Sequence, residues 1–226
     1  MKLNFTTVYL ALIITMMALF VGCAQTHHNR KAADQSGFLG DYSMLQEGGE
    51  GEGQLVYINP DADFTAYDKV IVDPVLTMCS KDSKAPREEL YNLANHLHYK
   101  VVAKLDEDYE IVETPGPGVM RISAALTEAK KSKAGLNTIT TIVPQARLMS
   151  GLKKLATGTN SFVGGASVEC KITDSNTGER LAAGVDRRAG GKTLKGSTKA
   201  WDDVEQAFQY WADKLAQRLR DMRAGN

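Results

Sequence analysis

The chain has 226 residues and a formal net charge of +0 at pH 7, with 27 Lys+Arg against 27 Asp+Glu. That balance leaves no long-range field to recruit nucleic acid. The aromatic share is 7%, and no interleaving of aromatic and basic residues forms a strand-binding groove. Without its leader the chain has room for one domain plus a tether, at roughly 100–200 residues per domain.

Lys2 opens the leader with a positive charge. An apolar run follows, from Val8 to Ile14 and from Met16 to Phe20. The run matches the core of a secretion signal and is shorter than the roughly 20 apolar residues of a membrane span. It closes on Phe20-Val21-Gly22-Cys23. This tetrapeptide resembles the lipobox of bacterial lipoproteins, in which the cysteine thiol is joined to diacylglycerol and the peptide is cut before it. Phe20 stands where Leu is usual. The resemblance implies a signal peptide over 1–22 and lipid attachment at Cys23. The alternatives are cleavage near Ala24 to release a soluble chain, or an uncleaved anchor. Each buried CH2 contributes about 0.8 kcal/mol, so several acyl chains hold far better than one. Ala24 after the cysteine resembles the enterobacterial address for the outer membrane, since Asp there would favour inner-membrane retention. The expectation is an outer-membrane, lipid-anchored chain facing the periplasm, with no further span.

Residues 23–53 read as a lipidated tether. His27 and His28 are adjacent, yet nothing nearby completes a metal-ligand set. The apolar residues of Ser36 to Leu45 suggest that this part docks on the domain. Glu47 to Gly53 reads as flexible and acidic, and its carboxylates would repel phosphate.

The globular domain is expected over 54–226. Leu55 to Ile58 forms a short strand, and Lys69 to Val75 a β-branched strand covered on both faces. Pro86 opens a helix to about Glu107, with Leu90, Leu93, Ala94, Leu97, Val101 and Leu105 as its apolar stripe. His96 and His98 are two apart, point to different faces and read as surface or flank residues. A short strand at Glu110 to Glu113 precedes a Pro-Gly turn and a strand over Val119 to about Lys131. A hairpin follows, Ala166 to Thr173 against Leu181 to Val185, turning at Asp174-Ser175-Asn176-Thr177-Gly178. The last helix starts near Asp202, with Glu205 as the far half of a capping box and Val204, Phe208, Trp211, Leu215, Leu219 and Met222 as its stripe. Trp201 and Trp211 read as packing anchors.

This order predicts an α+β fold: a mixed, largely antiparallel sheet of about five strands with two main helices packed on one face. Cys79 and Cys170 remain after Cys23. A buried free thiol suits Cys170, and a Cys79–Cys170 disulfide stays open because spacing alone does not bring the Cα atoms within reach.

The excursion at 132–165 is long for a connection in a compact domain. Pro144 opens a short amphipathic stretch there. Arg147, Leu148, Leu152, Lys153 and Lys154 form a candidate partner surface, against the alternative of a flap folded over the domain's own core. Arg187, Arg188, Lys192, Lys195 and Lys199 read as a solvated basic loop. Gly191-Lys192-Thr193 fails as a phosphate loop because Asp186 stands where its first glycine belongs. No Gly-x-Ser-x-Gly and no metal-ligand spacing occurs, so no catalytic, cofactor or metal residues are assigned.

Four segments carry a wider resemblance: Ser36 to Ser43, Tyr67 to Pro74, Gly165 to Leu181, and Trp201 to Trp211. Through them the chain resembles a family of Gram-negative lipoproteins known only as a domain of unknown function. Its order of elements is loosely similar to the small domains of envelope lipoproteins that activate peptidoglycan synthases. The resemblance implies an address and a fold, and no activity. The leading expectation is a non-enzymatic accessory module that binds an envelope protein. The alternatives are an envelope hydrolase acting on glycan or lipid, and a carrier of a small apolar ligand.

Overall fold

The computed structural model describes residues 27–28, 35–79, 85–131, 164–189 and 201–225. Among these the strands are β1 (His27–His28), β2 (Gln46–Glu47), β3 (Leu55–Ile58), β4 (Lys69–Val72), β5 (Leu76–Thr77), β6 (Glu110–Ile111), β7 (Val119–Lys130), β8 (Gly165–Asp174) and β9 (Arg180–Ala189). The helices are α1 (Arg87–Leu105) and α2 (Asp202–Arg223), with a single 3-10 turn at Phe64–Ala66. The sheet runs β2-β3-β9-β8-β7-β4-β6, with β1 also on β9 and β5 also on β7. β4 pairs in parallel with β6 and β7, and β5 with β7. The other pairs are antiparallel.

The expected α+β class is therefore observed. The five strands of four or more residues, β3, β4, β7, β8 and β9, are those that periodicity marks. The remaining four are two residues long, and of these only β6 falls on an expected strand, Glu110 to Glu113; β1, β2 and β5 are too short to show any alternation. The parallel pairing of β4 with β6 and β7 follows from α1, because a parallel pair needs a crossover and the helix supplies it.

The helix stripe expected for α1 is buried residue for residue, from Leu90 to Leu105. Pro86 precedes its first turn, where Glu88 and Glu89 face the positive end of the helix dipole. The two helices run in parallel. The His96 and Phe208 rings meet edge to face at 6.3 Å, Lys100 Nζ donates to Gln209 Oε1 at 2.9 Å, and Arg220 Nη1 lies 2.6 Å from Asp108 Oδ2. Ala207, Ala212 and Ala216 are buried on α2, and these small side chains let the helix pack closely.

The capping box expected at the start of α2 does not form. The cap residue is Trp201 and no side chain caps the helix. Asp203 is buried and instead accepts from Gly164 N at 2.8 Å. Burial raises its pKa, and the Gly164 hydrogen bond opposes that rise. The acidic first turn serves a tertiary contact with the end of β8 instead of its own helix.

The β8–β9 hairpin turns where expected. Asp174 Oδ1 accepts from Asn176 N and Thr177 N, at 2.9 and 2.7 Å. Gly178 takes φ +77°, a conformation open to glycine at no steric cost.

Ser36 to Leu45 docks, as its apolar residues suggest. It lies across the sheet face opposite the helices. Leu39 is 2% exposed among Ala183, Val185, Leu55 and Tyr57. Glu169 on β8 is 0% exposed, and it accepts from Ser36 N at 2.7 Å and Tyr42 Oη at 2.5 Å. Arg180 donates to the carbonyls of Leu39 and Asp41 at 2.6 and 2.7 Å. The stretch expected to be flexible continues this strap. Gln46–Glu47 pairs with β3, and Glu52 pairs with Arg218 of α2. The domain thus has three layers: strap, sheet and helix pair.

Candidate functional site

The register places a row of small residues straight across the helix-facing side of the sheet. Val56 on β3 lies beside Gly184 on β9, Gly184 beside Cys170 on β8, and Cys170 beside Ala124 on β7. The next row is bulkier: Ile58, Ala182, Ile172 and Ile122. The small row leaves a trough that the helices do not fill. Gly184 sets its depth, since a Cβ there would meet only Leu55 O, at 3.5 Å. The resulting cavity has a volume of about 210 Å³.

Its roof is the flank of the α2 stripe, Trp211, Leu215 and Met222, with Leu97 and Val101 of α1. These three α2 residues are only partly buried, because they cover a cavity and not packed side chains. The mouth lies at the β3 side, where exposed Gly51 and Ile58 meet Tyr210, Lys214 and Arg218.

The polar groups of the lining are engaged with one another. Trp211 Nε1 donates to Asp186 Oδ2 at 2.7 Å. Arg188, 7% exposed, lies 3.9 Å from the same carboxylate, with its guanidinium 3.5 Å above the Tyr210 ring. Asp73 accepts from Arg121 and from Ser123, both at 2.7 Å. Glu52 is held by Arg218. No salt bridge among the described residues uses Lys214. What remains to meet a ligand is apolar wall, with one ammonium at the rim.

Cys170 forms part of the floor. Its side chain lines the cavity and is only partly buried, and that burial pushes the thiol pKa up to about 12. A thiol so little ionised is a packing group and not a nucleophile. Cys79 is also free, with its thiol held 3.5 Å from Leu126 O and its pKa raised by burial. The two cysteines form no disulfide.

Other residues singled out in the sequence fall elsewhere. Cys23, and the group Arg147, Leu148, Leu152, Lys153 and Lys154, lie outside the described residues. His98 Nδ1 is 3.2 Å from Asp73 O, and His96 packs on Phe208. No group of three or more His, Cys, Asp or Glu among the described residues could hold a metal. The solvated basic loop expected from Arg187 onward is corrected at its start. Arg187 and Arg188 belong to β9, and Arg187 pairs with Glu128 at 2.8 Å. A run of charges hid the last turns of a strand whose neighbours supply the counter-charges. Trp201 packs on the core with Lys131 Nζ 5.2 Å from its ring centre. Trp211, expected as an anchor, also walls the cavity. The cavity leaves no mark in the sequence, because a trough made by register is invisible to periodicity along one strand.

These features define a class: an α+β domain with two parallel helices over a mixed sheet, an apolar cavity between them, and an N-terminal strap on the far face. No helix among the described residues is long and apolar enough to cross a membrane. The chain belongs to the family described as a protein of unknown function (DUF3313), which matches residues 34–215. No curated protein matches it. Among solved structures it is similar to the PelC dodecamer from Paraburkholderia phytofirmans, at 12% identity and a TM-score of 0.40 over 73% of this chain and 94% of that one. It is similar to the lipoprotein GNA1162 from Neisseria meningitidis at 12% identity and a TM-score of 0.33, over 70% and 99% of the two chains. The hypothetical protein CT253 from Chlamydia trachomatis gives 10% identity and a TM-score of 0.41, over 71% and 100%. Likenesses this distant assign no assembly, ligand or partner to this chain.

Proposed function

We propose that this is an outer-membrane lipoprotein, anchored through Cys23 and facing the periplasm, that works as a non-enzymatic binding module of the envelope. The observation that carries the binding role is the apolar cavity, whose lining carboxylates are each engaged by a partner within the protein. A glycosidase-like site needs two carboxylates poised across an open cleft. Glu52, Asp73 and Asp186 are held in separate pairings instead. Of the two non-enzymatic readings, protein partner and apolar ligand, the cavity favours the second. A protein partner would use Arg147, Leu148, Leu152, Lys153 and Lys154.

The strap gives the anchor a mechanical meaning. Only Ala24, Gln25 and Thr26 separate Cys23 from β1, which is already paired with β9, and three residues reach at most about 11 Å. Beyond them the chain is fixed to the sheet by Glu169 and Arg180. The domain is then held within that distance of the bilayer with its strapped face toward the tether. Exchange of Cys23→Ser is expected to leave the domain folded and move it from the membrane fraction to the soluble periplasm. Continued sedimentation of that variant with outer membranes would overturn the anchoring role. Crosslinking from Leu152 in cells tests the protein-partner reading, which fails when no specific adduct forms above the Cys23→Ser background.

A further inference from the structure

We propose that the cavity seats one linear acyl chain whose anionic head is met by Lys214 at the mouth. The proposal rests on the reading of the cavity as a binding site and names what it binds. The trough crosses four strands, β3, β9, β8 and β7, hence three interstrand spacings, which amount to about 14 Å. A volume of about 210 Å³ spread over that length leaves a cross-section of about 15 Å². An average of that size admits a single polymethylene chain. An extended chain advances about 1.2 Å per bond, so the trough accommodates about eleven or twelve carbons. The cavity also exceeds the roughly 150 Å³ of an apolar hole that stays dry and takes a benzene-sized guest.

The mouth chooses the head group. Four charged residues line that end: Glu52, Asp186, Lys214 and Arg218. Glu52 is neutralised by Arg218, and Asp186 is met by Trp211 and Arg188. With Arg188 counted, three cations stand against two carboxylates, and Lys214, which lines the cavity and enters no salt bridge among the described residues, carries the surplus positive charge. A flexible ammonium on a four-carbon stem suits a carboxylate or phosphate as a point charge. The ligand class is therefore a single-chain anionic amphiphile, either a free fatty acid or a lysophospholipid.

Trp211 in the wall provides the assay. In the full chain carrying Trp201→Phe and Cys23→Ser, 2-bromododecanoate keeps its bromine beside the head group, at the mouth where the remaining indole meets Asp186. Saturable one-to-one quenching is expected. Affinity should rise roughly fourfold per methylene across shorter alkanoates and level off near twelve carbons. The matched bromoalcohol should bind several-fold more weakly than the carboxylate, and Lys214→Gln should abolish that difference. Gly184→Val fills the trough and should weaken quenching at least tenfold, with circular dichroism and unfolding midpoint retained. Palmitate and palmitoyl-lysophosphatidylglycerol enter as separate competitors. Displacement by either supports the shared chemistry and identifies the source, and displacement by neither overturns it. Absence of saturable quenching, or quenching untouched by Gly184→Val, overturns the site. Equal binding of alcohol and carboxylate, or tighter binding of the trimethylammonium analogue, overturns the head group. Any of these failures, with Cys23→Ser still releasing the domain from the membrane, removes the ligand and leaves the anchored module standing.

Discussion

Glu169 is the residue through which the strap is held, and Glu169→Ala tests the three-layer arrangement. Its carboxylate is 0% exposed in the middle of β8, yet both of its hydrogen-bond donors come from the strap: Ser36 N at 2.7 Å and Tyr42 Oη at 2.5 Å. Hydrogen bonds to a charged group contribute about 1.5–3 kcal/mol each. Losing both bounds the effect at about 3–6 kcal/mol, and the lower figure is the safer one because a lifted strap rehydrates its own donors. Every 1.4 kcal/mol is a factor of ten, so the strap should open about a hundredfold more often. Native-state hydrogen exchange reads this directly. The amides of Gly40 and Leu45, which bond to Gly37 O and Tyr42 O, should exchange about a hundredfold faster. Amides of β7 and α1, on the other side of the sheet or within it, should keep their protection. Unchanged exchange at Gly40 and Leu45 would refute the role of Glu169. Equal loss across the whole domain would refute a strap that opens as a unit.

Two further outcomes follow from burial. Tyr67 is raised to about 12 by burial and by its hydrogen bond to Asp174, and burial also raises Tyr42 and Tyr109. Each unfolded phenol ionises near 10 before its folded counterpart does. Stability is therefore full below pH 10 and falls as pH rises toward 12; a chemical-unfolding midpoint that stays flat over that window would contradict this. In a chain whose only cysteine is Cys170, reaction with a soluble disulfide reagent at pH 8 should run about a thousandfold slower than with free cysteine. Reaction at the rate of an exposed thiol would contradict the raised pKa of Cys170.

The parts of the fold that were legible in the sequence are those with a long enough period. The α1 stripe holds because six residues at three- and four-residue steps can face only one way. The β8–β9 hairpin reads from alternation on both arms around Asp174 to Gly178. The docking of Ser36 to Leu45 was legible from apolar residues in an otherwise polar tether. The α2 cap misled because Asp203, one residue along, has a tertiary donor in Gly164 that outcompetes a local one. The Arg187–Arg188 pair misled because charge alone does not reveal Glu128, Asp186 and the Tyr210 ring waiting across the structure. The cavity depends on Val56, Gly184, Cys170 and Ala124 sharing a row. Those positions are 128, 14 and 46 residues apart in sequence, and only the pairing registers bring them together.

Native mass spectrometry of the Cys23→Ser chain recovered from the periplasm tests the acyl-binding cavity most directly, since no covalent lipid then confuses the mass. A seated chain predicts a population carrying one non-covalent adduct of fatty-acid or lysophospholipid mass, lost in Gly184→Val. Bare protein in both forms, or the same adduct on both, would contradict it.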